Sequence, residues 1–381
     1  KIAFLGDSIT ANTWADLVGA DLWSGWVAWT DAYLGAAIER VHSSSGYHFA
    51  TGGFTLQQII DTWLSGVILS GADACVIHAG TNDSTETGAA KFSKLQTIVT
   101  ALEEARIRPI LSTTIPRGDT SGATHITNLQ EFNELIRDFA RTSGHVLCDF
   151  NSALMDPTTG YLDTDFSADK VHPNSTGGLR MANALSVALG PITQSGNRIP
   201  DLGSDKWINP NPYLIGATSG KATGITVGNV GSGTNTPTKV TRTDNMPGEW
   251  QQIVIGGTGG TSDGIYAVVT GAGYAEGDVL KGVVEFEVDE SGWAGYSMGT
   301  KLQTADSGGT SLTYAPYLGG SSQLAALSTT MDRPVANSGR RVTFETPEIT
   351  LASSPTQAIY VLYFRGAGTL RITRMGIVKT N

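Results

Sequence analysis

Short apolar runs alternate with helical patterns through the first half of the chain, and this alternation constrains the fold more than any other feature. The apolar runs are KIAFL (1–5), ADACVIHAG (72–80), RPILSTTIP (108–116) and the start of HVLCDFNSAL (145–154). Apolar residues recur at helical spacing in segments 26–40, 92–107, 126–144 and 178–189. Parallel strands joined through helices need crossover connections, so the pattern predicts a doubly wound parallel sheet of the α/β class with both faces covered.

The character of the sequence changes near residue 190. Residues 193–207 carry Gly, Pro, Ser and Asp without periodicity, and we interpret them as a linker between domains at 1–192 and 208–381. The second domain is rich in Gly, Thr and Ser, and it contains runs such as VEFEV, where apolar and acidic residues alternate. Many short runs of this kind, separated by turn residues, predict a β-sandwich, for example a jelly roll.

The composition and charge of the chain argue against several classes of binding partner. The formal net charge is −10 and no Lys/Arg-rich run occurs, so we expect no nucleic-acid partner. No apolar run approaches the ~18 residues that span a bilayer, so no membrane association is expected. Cys75 and Cys148 lie in apolar runs, without a Cys or His at ligand spacing, and are predicted to be buried thiols rather than a metal site. Strand-like residues begin at position 1, which suggests a trimmed chain.

A serine stands where the first predicted strand ends, in Gly6-Asp7-Ser8. The carboxyl ends of the strands in a doubly wound sheet are where ligands bind. Ser8 is therefore a candidate nucleophile, and capping of the following turn is the alternative.

Three further segments carry residues that could act together with Ser8 at the same edge of the sheet. Asn82 in GTND follows the next strong strand, where its amide could donate to an oxyanion, or it could simply form a turn. Asp169 and His172 in DKVHPN are spaced so that the carboxylate can hold one imidazole nitrogen and leave the other free to take a proton, and the alternative is a surface loop in which the acid and the histidine are paired by chance. In FATGGFT, Gly53, or Gly52 beside it, is suited to a close approach of backbone to ligand.

Taken in order, GDS, Gly53-Phe54-Thr55, GTND and D-x-x-H resemble the four sequence blocks of the SGNH (GDSL-type) hydrolases over roughly the first 190 residues. The resemblance implies a flavodoxin-like catalytic domain and a serine esterase that needs no cofactor or metal. It assigns the triad roles of nucleophile, base and orienting acid to Ser8, His172 and Asp169. The oxyanion hole would be formed by the backbone N–H groups of Ser8 and Gly53 with the Asn82 side chain.

The domain architecture, rather than any individual residue, limits the choice among substrate classes. The family includes lipases, thioesterases and carbohydrate deacetylases, and a β-rich module joined to a hydrolase favours removal of acetyl groups from a carbohydrate or polysaccharide. Trp14 and Trp23, after the nucleophile block, are candidate substrate-binding residues because an aromatic face can stack on a sugar. The alternatives are a lipase or thioesterase acting on small acyl esters, and a non-catalytic glycan-binding adhesin on the same scaffold.

The second domain is also similar to C-terminal modules of phage tail proteins. That similarity implies glycan binding or assembly into a homo-oligomer, a trimer in particular, through the β-rich domain. It further implies a location that is extracellular, either secreted or associated with a virion tail.

Overall fold

The computed structural model describes residues 1–11, 25–35, 38, 47–118, 121–167, 169–190, 206–242, 248–256, 264–289, 294–306, 309–318, 342–346, 348–351 and 357–381. The chain forms two compact units, one made mainly of residues 1–194 and the other mainly of residues 195–381. No helix within the described ranges is long and apolar enough to cross a membrane.

The first unit is built on a five-stranded parallel sheet. Its strands are β1 (Ile2–Gly6), β2 (His48–Ala50), β3 (Ala74–His78), β4 (Arg108–Ser112) and β5 (Val146–Cys148). They lie in the order β2-β1-β3-β4-β5, and every neighbouring pair is parallel. This is the flavodoxin-like order, so the predicted doubly wound α/β domain is confirmed.

Eight helices of the described chain flank this sheet. They are α1 (Ser8–Ala11), α2 (Trp26–Tyr33), α3 (Leu56–Ile59), α4 (Ser65–Leu69), α5 (Gly88–Glu104), α6 (Ala123–Ser143), α7 (Phe150–Leu154) and α8 (Ser175–Leu189), with a π-helical turn over Ile60–Leu64. β3 is buried along its whole length, as a strand covered on both faces must be. Cys75 in β3 and Cys148 in β5 are buried free thiols, as predicted.

Helix α2 is shorter than the sequence predicts. Trp26 and Trp29 anchor it in the core, at 1% and 0% exposure, and the Trp26 indole donates to the Ile9 carbonyl at 3.1 Å. The helix nevertheless ends at Tyr33, before the predicted end at residue 40. Gly35 adopts a φ of 73°, and a glycine in this left-handed conformation is a common helix terminator.

The helical segment from α3 to α4 was not predicted. It begins with a capping box: the Thr55 side chain accepts the backbone N–H of Gln58, and the Gln58 side chain accepts the N–H of Thr55. Thr-x-x-Gln is the sequence signature of this cap, so the start of the helix was available in FTLQQ. The cap fixes the direction in which the chain leaves Gly53.

The second unit is antiparallel. Its strands are β6 (Ile225–Val230), β7 (Thr234–Thr241), β8 (Glu249–Gly256), β9 (Gly264–Gly271), β10 (Val279–Val288), β11 (Ala294–Asp306), β12 (Gly309–Leu318), β13 (Val342–Glu345), β14 (Ile349–Thr350) and β15 (Gln357–Lys379). All ten belong to one hydrogen-bonded network. The described part of residues 206–381 holds no helix, and the predicted β-rich second region is confirmed.

Strand β15 is shared between two layers of this unit. Its first half pairs with β9 and β11, and its second half pairs with β8 and β10. Tyr360, in the first half, packs against Gly282 of β10, where an added Cβ would lie only 2.2 Å from the tyrosine ring. The Tyr360 hydroxyl donates to the Phe344 carbonyl of β13 at 3.4 Å. The two layers therefore face each other across this tyrosine.

Candidate active site

Ser8 occupies the first position of α1, directly after β1. The turn needs a glycine at position 6, because an added Cβ would lie 2.3 Å from Thr10 Oγ1 and 2.5 Å from the His78 carbonyl oxygen. Asp7 is fully buried, and its Oδ1 accepts the N–H of Ile9 at 3.0 Å. The first turn is thus capped by Asp7, which leaves the Ser8 hydroxyl available for another partner.

That partner is His172. The Ser8 Oγ and His172 Nε2 atoms are 2.9 Å apart, although 164 residues separate them in sequence. The other ring nitrogen, Nδ1, lies 2.7 Å from Asp169 Oδ2. Serine, imidazole and carboxylate therefore form one hydrogen-bonded series.

The loop from Asp169 to His172 is organised around the Asp169 carboxylate. Its Oδ1 accepts the backbone N–H groups of Val171 and His172 at 2.9 and 2.7 Å, and the Ser167 hydroxyl at 3.2 Å. Burial by itself would raise the pKa of Asp169, but these N–H donors and the His172 ring outweigh it and hold the pKa well below the usual range. Asp169 therefore stays ionised at neutral pH.

A second contact fixes the same loop from the side of β4. Gly118 donates its N–H to the Lys170 carbonyl at 3.0 Å, and Lys170 adopts a φ of 62°. An added Cβ at Gly118 would lie 2.3 Å from the Cβ of Lys170. The close approach of these two backbones therefore depends on the glycine.

Asn82 lies beside the glycine turn. Its Nδ2 donates to the Phe54 carbonyl at 3.0 Å, and Asp83 accepts the Leu56 N–H. Gly53 has a φ of 79° and open space where a Cβ would be, so its requirement for glycine is conformational. Gly52 is the glycine nearer to the serine side chain, since its added Cβ would lie 3.8 Å from Ser8 Cβ.

The sequence does not predict that Asp7, Asp83 and Arg117 form a group of interacting charges. Burial raises the pKa of Asp7 to about 7; the Ile9 N–H and the charge of Arg117 oppose that rise, whereas the charge of Asp83 adds to it. Burial also raises the pKa of Asp83, partly offset by the Leu56 N–H. Arg117 directly follows the apolar run of β4, and the rule that strand carboxyl ends face the site would have pointed to it.

Trp14 and Trp23 lie outside the described residues. Within the described ranges, no cluster of three or more His, Cys, Asp or Glu side chains is arranged to hold a metal ion. His78 is buried in β3, with Nδ1 2.9 Å from the Ser112 hydroxyl, and is therefore a residue of the core.

Comparison with solved structures gives several likenesses over about half of the chain. A GDSL-like lipase from Bacteroides thetaiotaomicron is 18% identical, covering 50% of this chain and 88% of its own, with a TM-score of 0.41. An acetylxylan esterase from Geobacillus stearothermophilus is 20% identical, covering 50% and 93%, with a TM-score of 0.41. An alpha/beta hydrolase from the metagenome of Lake Arreo, Spain, is 21% identical, covering 51% and 96%, with a TM-score of 0.41.

Comparison with protein families gives a match within the first unit. No curated protein matches the chain. The family model of the GDSL-like Lipase/Acylhydrolase family matches residues 4–178. This range contains all four predicted blocks, including Ser8 and His172. Over residues 4–178, the chain is therefore similar to the GDSL-like Lipase/Acylhydrolase family.

Proposed function

We propose that the chain is a serine esterase that works through an acyl-enzyme intermediate. The observation that carries this proposal is the hydrogen-bonded series from Ser8 Oγ through His172 to Asp169, at 2.9 and 2.7 Å. A serine hydroxyl is a weak nucleophile at neutral pH unless a base lies within about 2.6–3.2 Å. His172 meets this requirement in the free protein.

Each residue of the series has one task in acylation. His172 Nε2 takes the Ser8 proton as Oγ attacks the acyl carbon, and Asp169 holds the ring with Nδ1–H directed toward its carboxylate. The ester C–O bond then breaks, and His172 returns the proton to the departing alcohol oxygen. In the second half, His172 takes a proton from water, the resulting hydroxide attacks the acyl-enzyme, and Ser8 regains its proton as the acid leaves.

The oxyanion that forms in each half needs fixed hydrogen-bond donors. The backbone N–H groups of Ser8 and Gly53 make no hydrogen bond to any described residue and are proposed as two donors. The Asn82 amide, oriented by its bond to Phe54, is proposed as the third. Each such donor contributes on the order of 3–4 kcal/mol to the stability of the transition state.

We further propose that the substrate is an O-acetyl ester of a carbohydrate or polysaccharide. The side chains of His172 and Asp169 are 36% and 55% exposed, whereas Ser8 is 9% exposed, so the imidazole and the carboxylate lie at the surface, where a bulky alcohol component can reach them. A site of this kind suits a small acyl group on a large alcohol. The antiparallel second unit is proposed to hold the polysaccharide or to assemble copies of the chain into a trimer, which light scattering would reveal.

Hydrolysis of p-nitrophenyl acetate by the wild type and by Ser8→Ala tests the esterase proposal. We expect the variant to lose at least ~1,000-fold in kcat, because the nucleophile is gone. Equal rates would leave a non-catalytic glycan-binding adhesin as the better interpretation. Acetate release from acetylated xylan, compared with an acetylated bacterial exopolysaccharide, then tests the substrate. A preference for longer p-nitrophenyl esters or thioesters over both polymers would favour a lipase or thioesterase.

A further inference from the structure

Arg117 lies five residues beyond the carboxyl end of β4, and none of the roles given above requires it. Its side chain is half-buried. Nη1 donates to the Thr81 hydroxyl at 3.4 Å, and Nε donates to the Ser121 hydroxyl at 3.2 Å. Thr81 is buried and directly precedes Asn82. The guanidinium is therefore attached to the loop that carries the proposed amide donor.

The backbone at Arg117 is joined to the loop that carries the acid and the imidazole. The Arg117 carbonyl accepts the N–H of Leu162 at 3.2 Å. The next residue, Gly118, donates to the carbonyl of Lys170, which lies between Asp169 and Val171 in the chain. Main-chain hydrogen bonds thus attach the segment 117–118 to both ends of the stretch that leads to His172.

The charge of Arg117 acts on two carboxylates of different segments. It opposes the burial that raises the pKa of Asp7, and the charges of Asp7 and Asp169 in turn oppose the burial that lowers the pKa of Arg117. Asp7 is fully buried, and its Oδ2 has no hydrogen-bond partner among the described residues. A buried carboxylate in this position is costly unless a cation lies near it. Arg117 supplies that charge beside the nucleophile turn.

We propose that Arg117 is a positioning residue of the esterase, which holds the Ser8 turn, the Asn82 loop and the Asp169–His172 loop in register. This inference rests on the proposed function. Arg117 acts through Asp7, Thr81 and Asp169, and it has no direct contact with the reacting atoms in the scheme above. Loss of register by about 1 Å between serine and imidazole can cost on the order of 100-fold in rate.

Two substitutions distinguish the effect of the Arg117 charge from the effect of its hydrogen-bond donors. Arg117→Met removes the charge and the donors, whereas Arg117→Lys keeps the charge and one donor. Arg137→Met is the matched control, because Arg137 is also half-buried and is paired with Asp149 at 3.0 Å, away from the three segments. For each protein, kcat, KM and the pH profile of kcat/KM are measured with p-nitrophenyl acetate. The rate of Ser8 labelling by a fluorophosphonate and the thermal unfolding temperature are also measured.

We expect Arg117→Met to lower kcat by ~10- to 100-fold with little change in KM, and to slow serine labelling in parallel. The acidic limb of its pH profile moves to higher pH, because the positive charge that disfavours protonation of Asp7 and Asp169 is lost. Arg117→Lys keeps the limb in place and recovers part of kcat. Arg137→Met lowers the unfolding temperature and leaves kcat and the limb unchanged. If Arg117→Met does not fold, Arg117→Gln replaces it as the neutral variant.

Wild-type kcat and an unmoved acidic limb in folded Arg117→Met or Arg117→Gln would overturn the proposal. A fall in kcat for Arg117→Lys as large as the fall for the neutral variant would also overturn it, because the positive charge at position 117 would then make no difference. Failure of the proposed esterase function is distinguishable from these outcomes. Hydrolysis of p-nitrophenyl acetate and labelling by the fluorophosphonate would then be the same in the wild type and in Ser8→Ala.

Discussion

Both carboxylate oxygens of Asp83 lie within hydrogen-bond distance of the backbone nitrogen of Leu56, at 3.2 and 3.1 Å, across 27 residues of sequence. The neighbouring Asn82 amide donates to the Phe54 carbonyl. Two consecutive side chains of the GTND loop therefore hold both ends of a three-residue stretch directly after Gly53. Two of the three segments that contribute the proposed oxyanion donors, those of Gly53 and Asn82, are therefore joined by hydrogen bonds, and we expect a change in one to affect the other.

Asn82→Ala removes a proposed oxyanion donor and one of these two attachments. We expect kcat to fall by ~100- to 1,000-fold, as for the loss of a donor that acts mainly in the transition state. Steady-state kinetics with p-nitrophenyl acetate measure the effect. Asn235→Ala, on β7 of the second unit, is the control and should keep the wild-type kcat. A loss confined to KM would argue that Asn82 binds substrate rather than the oxyanion.

Asp169→Asn tests the orientation of the imidazole. The amide can still accept the backbone N–H groups of Val171 and His172 through its oxygen, so the loop should keep its shape. Its NH₂ group would face His172 Nδ1 and favour the wrong tautomer, which lowers kcat by roughly 100- to 10,000-fold. Circular dichroism and unfolding temperature should match the wild type. A fully active variant would show that the carboxylate has no part in catalysis.

Asp7 predicts a specific dependence of stability on pH. Its pKa is raised to about 7 in the folded protein from an ordinary value of 3.8. The favourable contribution of protonated Asp7 is complete below the unfolded pKa and is lost as pH rises through about 7. The wild type should therefore lose about 2–3 kcal/mol relative to Asp7→Asn between pH 5 and pH 8. Urea unfolding of both proteins at the two pH values measures this difference, and a constant gap would contradict it.

Gly118→Ala tests the contact that holds the catalytic loop. The new Cβ would lie 2.3 Å from Lys170 Cβ, so the loop from Asp169 to His172 must shift. We expect kcat to fall by ~10-fold or more, with a smaller change in unfolding temperature. Gly190→Ala, where the nearest atom to the added Cβ is 3.4 Å away, is the matched control. Equal kcat in the two variants would mean that the loop accommodates the methyl group.

The sheet and the positions of the site blocks were predictable because both depend on local patterns. Apolar runs predict the strands β3 and β4. The carboxyl ends of parallel strands lie at one edge of the sheet, and this does not depend on the conformation of the loops between the strands. Ser8 and Asn82 follow the first and the second of the apolar runs, which is why the sequence indicates them as candidate site residues. The end of α2 was not, because the helical spacing of apolar residues continues past the left-handed Gly35 that terminates the helix.

The groups that support the site were less accessible to sequence reasoning. Arg117 and Asp83 act through contacts with residues that are tens of positions away, and such contacts follow from how the loops pack rather than from any spacing. The capping role of Asp7 is a partial exception, because Asp before a helical turn is a familiar cap. Its burial, and hence its raised pKa, could only be learned from the fold.

Strand β15 has a consequence for how the second unit tolerates shortening. Its 23 residues supply the pairing partner of β8, β9, β10 and β11. Deletion of that single stretch would expose the edges of four strands together and leave Tyr360 missing from between the layers. Removal of residues 370–381 alone would take from β10 its β15 partner and leave it paired only with β13 and β14 among the described strands.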